Sequence, residues 1–330
     1  MADVADKFVR VRLPRVDNLD LNLFDFDYDL TLMYFFLDAD GHVYGRYGQR
    51  DSDGPDNRQS LAGLKYTMRE VLTAHADRTK TFAPTASPRP KYLADLVGRR
   101  GKGGGGGCLH CHTVKERIVS AGPGWTLDQL WRFPMPDNVG IELEVDRGDI
   151  VKAVRPKSPA DAVGLKPGDR IRRVAEVPIH SEADVTYALD RAPKTGTLDV
   201  AWVRGGDAQT GTLKLADGWK RGDLSWRPST QRFVPSARLY GKDLKADERA
   251  KLGLSATQLA FRQNEFVPTQ AKLAGIQAGD VIIGIGGKRP DMDVIGFVDH
   301  VQRTYLIGET IVVSVLRDGR PLDLPMKLLK

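Results

Sequence analysis

The first apolar pattern in the chain is a strict alternation, Lys7-Phe8-Val9-Arg10-Val11-Arg12-Leu13, which predicts a strand with one buried face. Asp17 to Phe26 mixes polar and apolar positions without a period and predicts a short helix or loop. Leu30 to Leu37 is a continuous apolar run, the pattern of a strand buried on both faces. Asp38-Ala39-Asp40-Gly41 then supplies a tight turn, and Val43 to Tyr47 returns as the partner strand of a hairpin. From Ser60, an N-cap type, the period changes to that of a helix with Leu61, Leu64, Met68, Val71 and Leu72 on one face.

Periodicity stops between Arg78 and Gly107. Pro84, Pro88 and Pro90 break regular structure, a short helix is expected around Lys91 to Val97, and Gly103 to Gly107 is a pure glycine run. The run lacks the Gly-Lys-Ser/Thr and the preceding strand of a phosphate-binding loop, so it reads as a hinge. Helical patterns resume at Cys108 to Ser120 and at Leu127 to Trp131, ended by Gly122-Pro123-Gly124 and by Pro134 and Pro136.

The rest of the chain repeats itself. Ser158-Pro159-Ala160-Asp161-Ala162-Val163-Gly164-Leu165-Lys166-Pro167-Gly168-Asp169 aligns without a gap on Thr269-Gln270-Ala271-Lys272-Leu273-Ala274-Gly275-Ile276-Gln277-Ala278-Gly279-Asp280. Ser158 or Thr269 is expected to cap a one-turn helix, and Gly164 or Gly275 to end it in a left-handed conformation. A buried strand, Ile171 to Val174 or Val281 to Ile285, follows each tight turn. A helix (Ala183 to Leu189; Val294 to Val301), a strand (Leu198 to Val203; Ile311 to Leu316) and a closing hairpin strand complete each copy.

Composition narrows the class. A chain of 330 residues suggests two to three domains, and 41% hydrophobic with 28% charged residues fits a globular protein. No apolar run reaches the roughly 18 residues of a membrane span. The formal net charge of +6 is spread among nearly as many acids, and the densest basic cluster, Arg89, Lys91, Arg99, Arg100 and Lys102, falls in the Pro/Gly-rich linker. Nucleic acid is therefore not an expected partner. The start of the chain shows no signal peptide. Hydrolase signatures such as Gly-x-Ser-x-Gly are absent.

The candidate chemistry lies in Cys108-Leu109-His110-Cys111-His112, which holds both cysteines of the chain. Cys-x-x-Cys-His is the attachment pattern of c-type haem, with Cys108 and Cys111 binding the vinyls and His112 ligating iron. The same two thiols could form a reversible disulfide pair, or join His110 or His112 in a metal site. Met135 is a candidate sixth ligand, set against a packing role between two prolines. His42, His75, His180 and His300 have no partner at metal spacing and read as ordinary histidines.

Residues 7 to 76, especially Phe35-Phe36-Leu37-Asp38-Ala39-Asp40-Gly41 and Gly45-Arg46-Tyr47-Gly48, resemble the second half of a thioredoxin-like domain. The first strand, the redox helix and the cis-proline of that fold have no counterpart. With the later modules, the arrangement is similar to a bacterial family of thioredoxin-like/PDZ proteins, some of them selenoproteins. That resemblance implies an extracytoplasmic location and a gene model begun downstream of a selenocysteine codon. The repeated modules resemble PDZ domains of HtrA-type proteases, in which a Φ-Gly-Φ loop receives a peptide's terminal carboxylate and the peptide adds as a strand beside the long helix. Val139-Gly140-Ile141 matches that loop in the first module, so Val139, Gly140, Ile141, Leu143 and Tyr187 are the implied peptide-binding residues. In the second module Leu252-Gly253-Leu254 is the nearest match, interrupted by Ser255-Ala256-Thr257, which casts peptide capture there into doubt.

The expected fold class is α+β multidomain. A partial thioredoxin-like segment spans 1–77, a linker 78–107 and a helical Cys-x-x-Cys-His segment 108–136. PDZ-like modules span 137–218 and 237–330, joined by a connector at 219–236 whose Trp219 and Trp226 are expected to pack between domains. The expected function is an extracytoplasmic redox-linked adaptor with haem c, binding protein C-termini or internal strands in a PDZ groove. A non-redox PDZ scaffold and a truncated thiol–disulfide oxidoreductase are the alternatives.

Overall fold

The computed structural model describes residues 2–13, 19–77, 90–92, 95, 111–122 and 124–330, excluding the side chains of 2 and 111–113. The described chain divides into two compact units, Met1–Gly222 with Arg227–Ser229, and Asp223–Trp226 with Thr230–Lys330. Both mix helices with sheets, as the sequence pattern implies.

The first unit opens with a helix, α1 (Ala2–Ala5), and the strand expected from Lys7 to Leu13 does not form. Val9, Val11 and Leu13 stay 94%, 75% and 54% exposed, and residues 9–13 form no ladder. An alternating segment without a partner edge has nowhere to send its backbone hydrogen bonds. The hairpin does form: β1 (Tyr34–Leu37) pairs antiparallel with β2 (Val43–Tyr47). Yet β1 is shorter than the apolar run, and Leu32, Tyr34 and Leu37 are exposed, because a two-stranded ribbon buries only one face. Helix α2 (Leu61–Ala76) follows, with Ser60 Oγ accepting the Gly63 N–H at 2.8 Å. Its Leu64, Met68 and Val71 pack with Val4, Phe36, Tyr44 and Tyr47; Leu61 instead faces solvent.

Helix α3 (Cys111–Ser120) inserts Val114 among Leu19, Leu21, Phe26 and Tyr28. The next residue, Lys115, reaches Asp29 at 2.9 Å in a buried ion pair. Asp29 also accepts the N–H and Oγ–H of Ser229 at 2.8 and 2.7 Å. Burial pushes the neighbouring Asp27 carboxyl up, whereas Asp29, buried too, is drawn down by Lys115 and Arg227.

A short helix, α4 (Leu127–Leu130), leads to the first repeated module. Its strands are β3 (Ile141–Leu143), β4 (Val151–Val154), β5 (Arg170–Val174), β6 (Val177–Pro178), β7 (Gly196–Arg204) and β8 (Asp207–Leu215). The one-turn helix α5 (Pro159–Ala162) is capped by Ser158, and α6 (Glu182–Arg191) by Ser181. β3 pairs with β4, and a second sheet runs β6-β5-β7-β8. Val139, Ile141, Leu143, Val185, Leu189 and Trp202 belong to one core. Trp219 packs into this same core, with its indole N–H on Pro193 O at 2.9 Å, not between domains as expected.

The second unit repeats the module with β9 (Gly241–Asp243), α7 (Ala246–Lys251), β10 (Phe261–Gln263), α8 (Thr269–Leu273), β11 (Val281–Ile285), α9 (Val294–Thr304), β12 (Thr310–Arg317) and β13 (Arg320–Lys327). One sheet runs β13-β12-β11-β10-β9. Thr269 is the first residue of α8 and not its cap; Pro268 precedes it in extended conformation. Gly164 and Gly275 end their helices left-handed, φ 83° and 87°. Behind each, an arginine clamps the turn aspartate with two nitrogens: Arg204 on Asp169 at 2.7 Å for both contacts, Arg317 on Asp280 at 2.8 Å for both. The duplication read from sequence is thus a duplication of bonding.

Candidate functional site

Backbone bonding identifies the true counterpart of the loop before β3. Val151 N donates to Asp169 O and Gly168 N to Val151 O; Gln263 N donates to Asp280 O and Gly279 N to Gln263 O. β10 therefore stands where β4 stands. β3 pairs with β4 with Leu143 opposite Val151, and β9 pairs with β10 with Gly241 opposite Gln263. Leu143 corresponds to Gly241, Ile141 to Leu239, Gly140 to Arg238 and Val139 to Ala237.

The side chains agree. Val139 and Ile141 are 0% and 2% exposed, and Ala237 and Leu239 are both 1% exposed. Between them Gly140 has φ 86° and Arg238 φ 44°, both left-handed. The loop of the second module is consequently Ala237-Arg238-Leu239, and the assignment to Leu252-Gly253-Leu254 is overturned. Gly253, φ 66°, ends helix α7, and Leu252 and Leu254 pack beside Leu244, Ala260, Val281 and Ile283. Sequence reasoning missed the loop because its central position carries arginine instead of glycine. The inserted Ser255-Ala256-Thr257 falls in the connection from β9 to β10, away from that loop. There the buried Arg249 donates to the carbonyls of Leu244 at 3.0 Å, Ser255 and Ala260 at 3.3 Å, and Gln258.

β9 lies at the edge of its sheet. Tyr240 O accepts Asn264 N–H and Leu244 N–H donates to Ala260 O, so even-numbered residues bond inward to β10. By antiparallel alternation, Gly241 and Asp243 turn their backbone groups to the open edge. Gly241 has to be glycine, since a Cβ would collide with Arg262 O. Across from this edge runs α9, started by Asp293 Oδ1 accepting Gly296 N–H at 2.7 Å. Between them is an open groove of about 400 Å³, walled by Leu239, Tyr240, Gly241 and Asn264 on one side and by Val294, Ile295, Val298, Asp299 and Gln302 on the other. Ile295 is 75% exposed, and Phe266, 67% exposed, packs 6.1 Å from Tyr240 between ring centroids. An unpaired strand edge facing an apolar helix wall can take an extended chain as one further strand, with backbone bonds on one side and pockets for alternate side chains.

The residues singled out from sequence lie elsewhere. Val139, Ile141 and Leu143 are core residues of the first module, Gly140 forms the left-handed turn before β3, and Tyr187 sits on α6. The Arg46 guanidinium lies 3.3 Å from the Tyr187 ring centroid and that of Arg191 3.4 Å. Cys108 lies outside the described residues, as do most of the linker and the five-glycine run. Cys111 and His112 begin α3, with side chains outside the description. Among the described residues no cluster of three metal-ligating side chains occurs. Met135 precedes the 3-10 turn Pro136–Val139. His180 is buried and, chiefly by that burial, pushed down to about 4. No helix among the described residues is long and apolar enough to cross a membrane.

Residues 138–215 match the PDZ domain family. Among curated proteins, a probable periplasmic serine endoprotease DegP-like of Hahella chejuensis is 26% identical over 193 residues, covering 57% of this chain and 40% of the relative. The magnetosome formation protease MamE of Magnetospirillum gryphiswaldense is 30% identical over 216 residues, covering 57% and 28%. A DegP-like protein of Marinomonas sp. is 23% identical over 230 residues, covering 66% and 45%. The chain thus spans less than half the length of these relatives. Solved neighbours include the HtrA-type protease AlgW with decapeptide, at 19% identity and TM-score 0.27, covering 40% of this chain and 48% of that one. AlgW with tripeptide has 17% identity and TM-score 0.28, covering 50% and 55%.

Proposed function

We propose that this protein is an extracytoplasmic peptide-binding scaffold whose working groove is the one between β9 and α9. The carrying observation is that groove itself: an edge strand with outward-facing backbone groups, opposite an apolar helix wall and open to solvent. The PDZ match at 138–215 and the bond-for-bond repetition of that module in 237–330 support it. An extracytoplasmic setting is supported by relatives whose names describe periplasmic proteases. The bound segment adds antiparallel to β9, its side chains alternating between the Val294–Val298 wall and solvent.

A panel of short fluorescent peptides with free aliphatic C-termini tests the proposal by anisotropy on the full chain. Binding is expected, with a loss of at least tenfold in Val298→Lys. No binding by any peptide, or equal binding by that variant, would sink it.

A redox centre at Cys108, Cys111 and His112 is a second, subordinate proposal, supported by the sequence pentad and by α3 starting at Cys111 on a helix pinned through Lys115. Kinship of 1–77 with a half thioredoxin-like fold, and with its selenoprotein members, belongs to the same proposal; the hairpin and α2 support it. A Soret band that survives acid–acetone extraction of periplasm-expressed protein would establish haem c. Maleimide labelling of both thiols in iron-free protein would leave the dithiol.

A further inference from the structure

The first module has the same helix wall, and its chemistry is opposite. Ser181 and Asp293 are matched N-caps, so Glu182, Ala183, Thr186, Tyr187 and Asp190 stand where Val294, Ile295, Val298, Asp299 and Gln302 line the open groove. An aliphatic wall in one module is replaced by an acidic and polar wall in the other. That wall is already engaged. Arg58 Nη1 joins Asp137 Oδ2 at 2.8 Å to Glu182 Oε1 at 2.9 Å, tying the turn that leads into β3 to the first turn of α6. Gln49 Nε2 donates to Thr186 Oγ1 at 2.8 Å. Arg46 stacks on Tyr187 while its backbone is held at both ends: its N–H donates to Asp184 Oδ1 at 2.9 Å, and its C=O accepts from Ser181 Oγ. Asp190 binds Arg132 at 2.7 Å, and Arg132 in turn reaches Asp25.

We propose that residues 25–58 are the resident occupant of the first module's groove, a segment of this chain seated where the second module takes a free peptide. Polar complementarity selects the occupant: Arg46 and Arg58 of the segment meet Asp184 and Glu182 of α6, all four largely buried. In the second wall Val294 and Gly296 stand where Glu182 and Asp184 do, and its acid, Asp299, is paired with Arg303 of the same helix at 2.9 Å. The two modules therefore divide the work, one holding its own chain and one open to a partner. Only this division of labour rests on the peptide-binding reading; the seating of the segment does not.

Hydrogen exchange on the full chain tests the seating without any peptide. Residues 45–49 are expected to exchange slowly in the wild type, and Arg58→Ala with Gln49→Ala to speed them at least tenfold while 198–203 in the module core stay protected. Free exchange of 45–49 in the wild type, or unchanged protection in the variant, overturns the proposal. With a peptide that binds the chain, slowing is expected at 239–243 and 294–302 but not at 182–190. Slowing at 182–190 as well would equally overturn it.

Discussion

Arg238 and Gly140 hold the same place in the two modules, each the left-handed residue between two buried apolar side chains. Glycine adopts that conformation freely, whereas an L-residue with a Cβ is strained by about 1 kcal/mol. In the first module the position is closed to any side chain, because a Cβ on Gly140 would collide with Ser158, the cap of α5. In the second, the Arg238 side chain is exposed and donates to Lys330 O. Gly140→Ala is expected to destabilise by about 2 kcal/mol or more. Arg238→Gly is expected to be about 1 kcal/mol more stable than Arg238→Ala, since both lose the same guanidinium and differ only in backbone freedom. Urea unfolding of the three variants measures both differences.

The attachment of 25–58 to α6 is expected to depend on pH. Burial raises Asp184 and Glu182 to about 7 despite the facing Arg46 and Arg58, with Asp137 and Asp51 adding to the rise at Glu182. His180 stays neutral above about 4 and adds no charge. A carboxyl raised when folded binds more protons in the folded state between its ordinary value and 7, so stability falls as pH rises through that window. Protection factors at 45–49 are expected to be several-fold larger at pH 5.5 than at pH 8. Asp184→Asn with Glu182→Gln should flatten the difference.

Lys115 and Asp29 form a pair out of reach of water, 7% and 4% exposed. Removing one partner of such a pair leaves an uncompensated charge, at a cost of about 3–5 kcal/mol. Lys115→Met is expected to lower the stability of the first unit by that order, with little recovery at low salt. A calorimetric scan of the full chain would show it, and an unchanged transition would mean that Ser229 and Arg227 suffice for Asp29.

The clamps Arg204–Asp169 and Arg317–Asp280 share their geometry down to a third contact, on Gly164 O and Gly275 O, both at 2.6 Å. Lysine can neither span two carboxylate oxygens in a plane nor reach the carbonyl with the same group. Arg204→Lys and Arg317→Lys are each expected to lower the unfolding midpoint, and by similar amounts. Unequal losses would show that the repeated geometry carries unequal weight.

The repeat was legible because its determinants are local: Gly164 and Gly275, the following Gly-Asp turns, and the buried strands after them occur at fixed spacing. The helices started by Ser60 and Ser158 were legible for the same reason, since a cap and its helix are sequence neighbours. What failed depended on distant partners. Val9, Val11 and Leu13 alternate like a strand yet find no edge to join. Leu252-Gly253-Leu254 has the letters of the binding loop, but pairing with β10 gives that place to Ala237-Arg238-Leu239. The open groove brings together residues near 240 and 295, and no local pattern announces such a meeting. The seat of 25–58 on α6 links residues more than a hundred positions apart, through polar atoms whose pairing no hydrophobic period encodes.

Arg249 sends its nitrogens to four carbonyls of one connection, those of Leu244, Ser255, Gln258 and Ala260. Release of the guanidinium would leave four carbonyls in need of new partners at once. The bridge between β9 and β10, residues 244–260 against 144–150 in the first module, is therefore tied at four points by one side chain, so the second module carries ten more residues of connection without ten independent sources of slack.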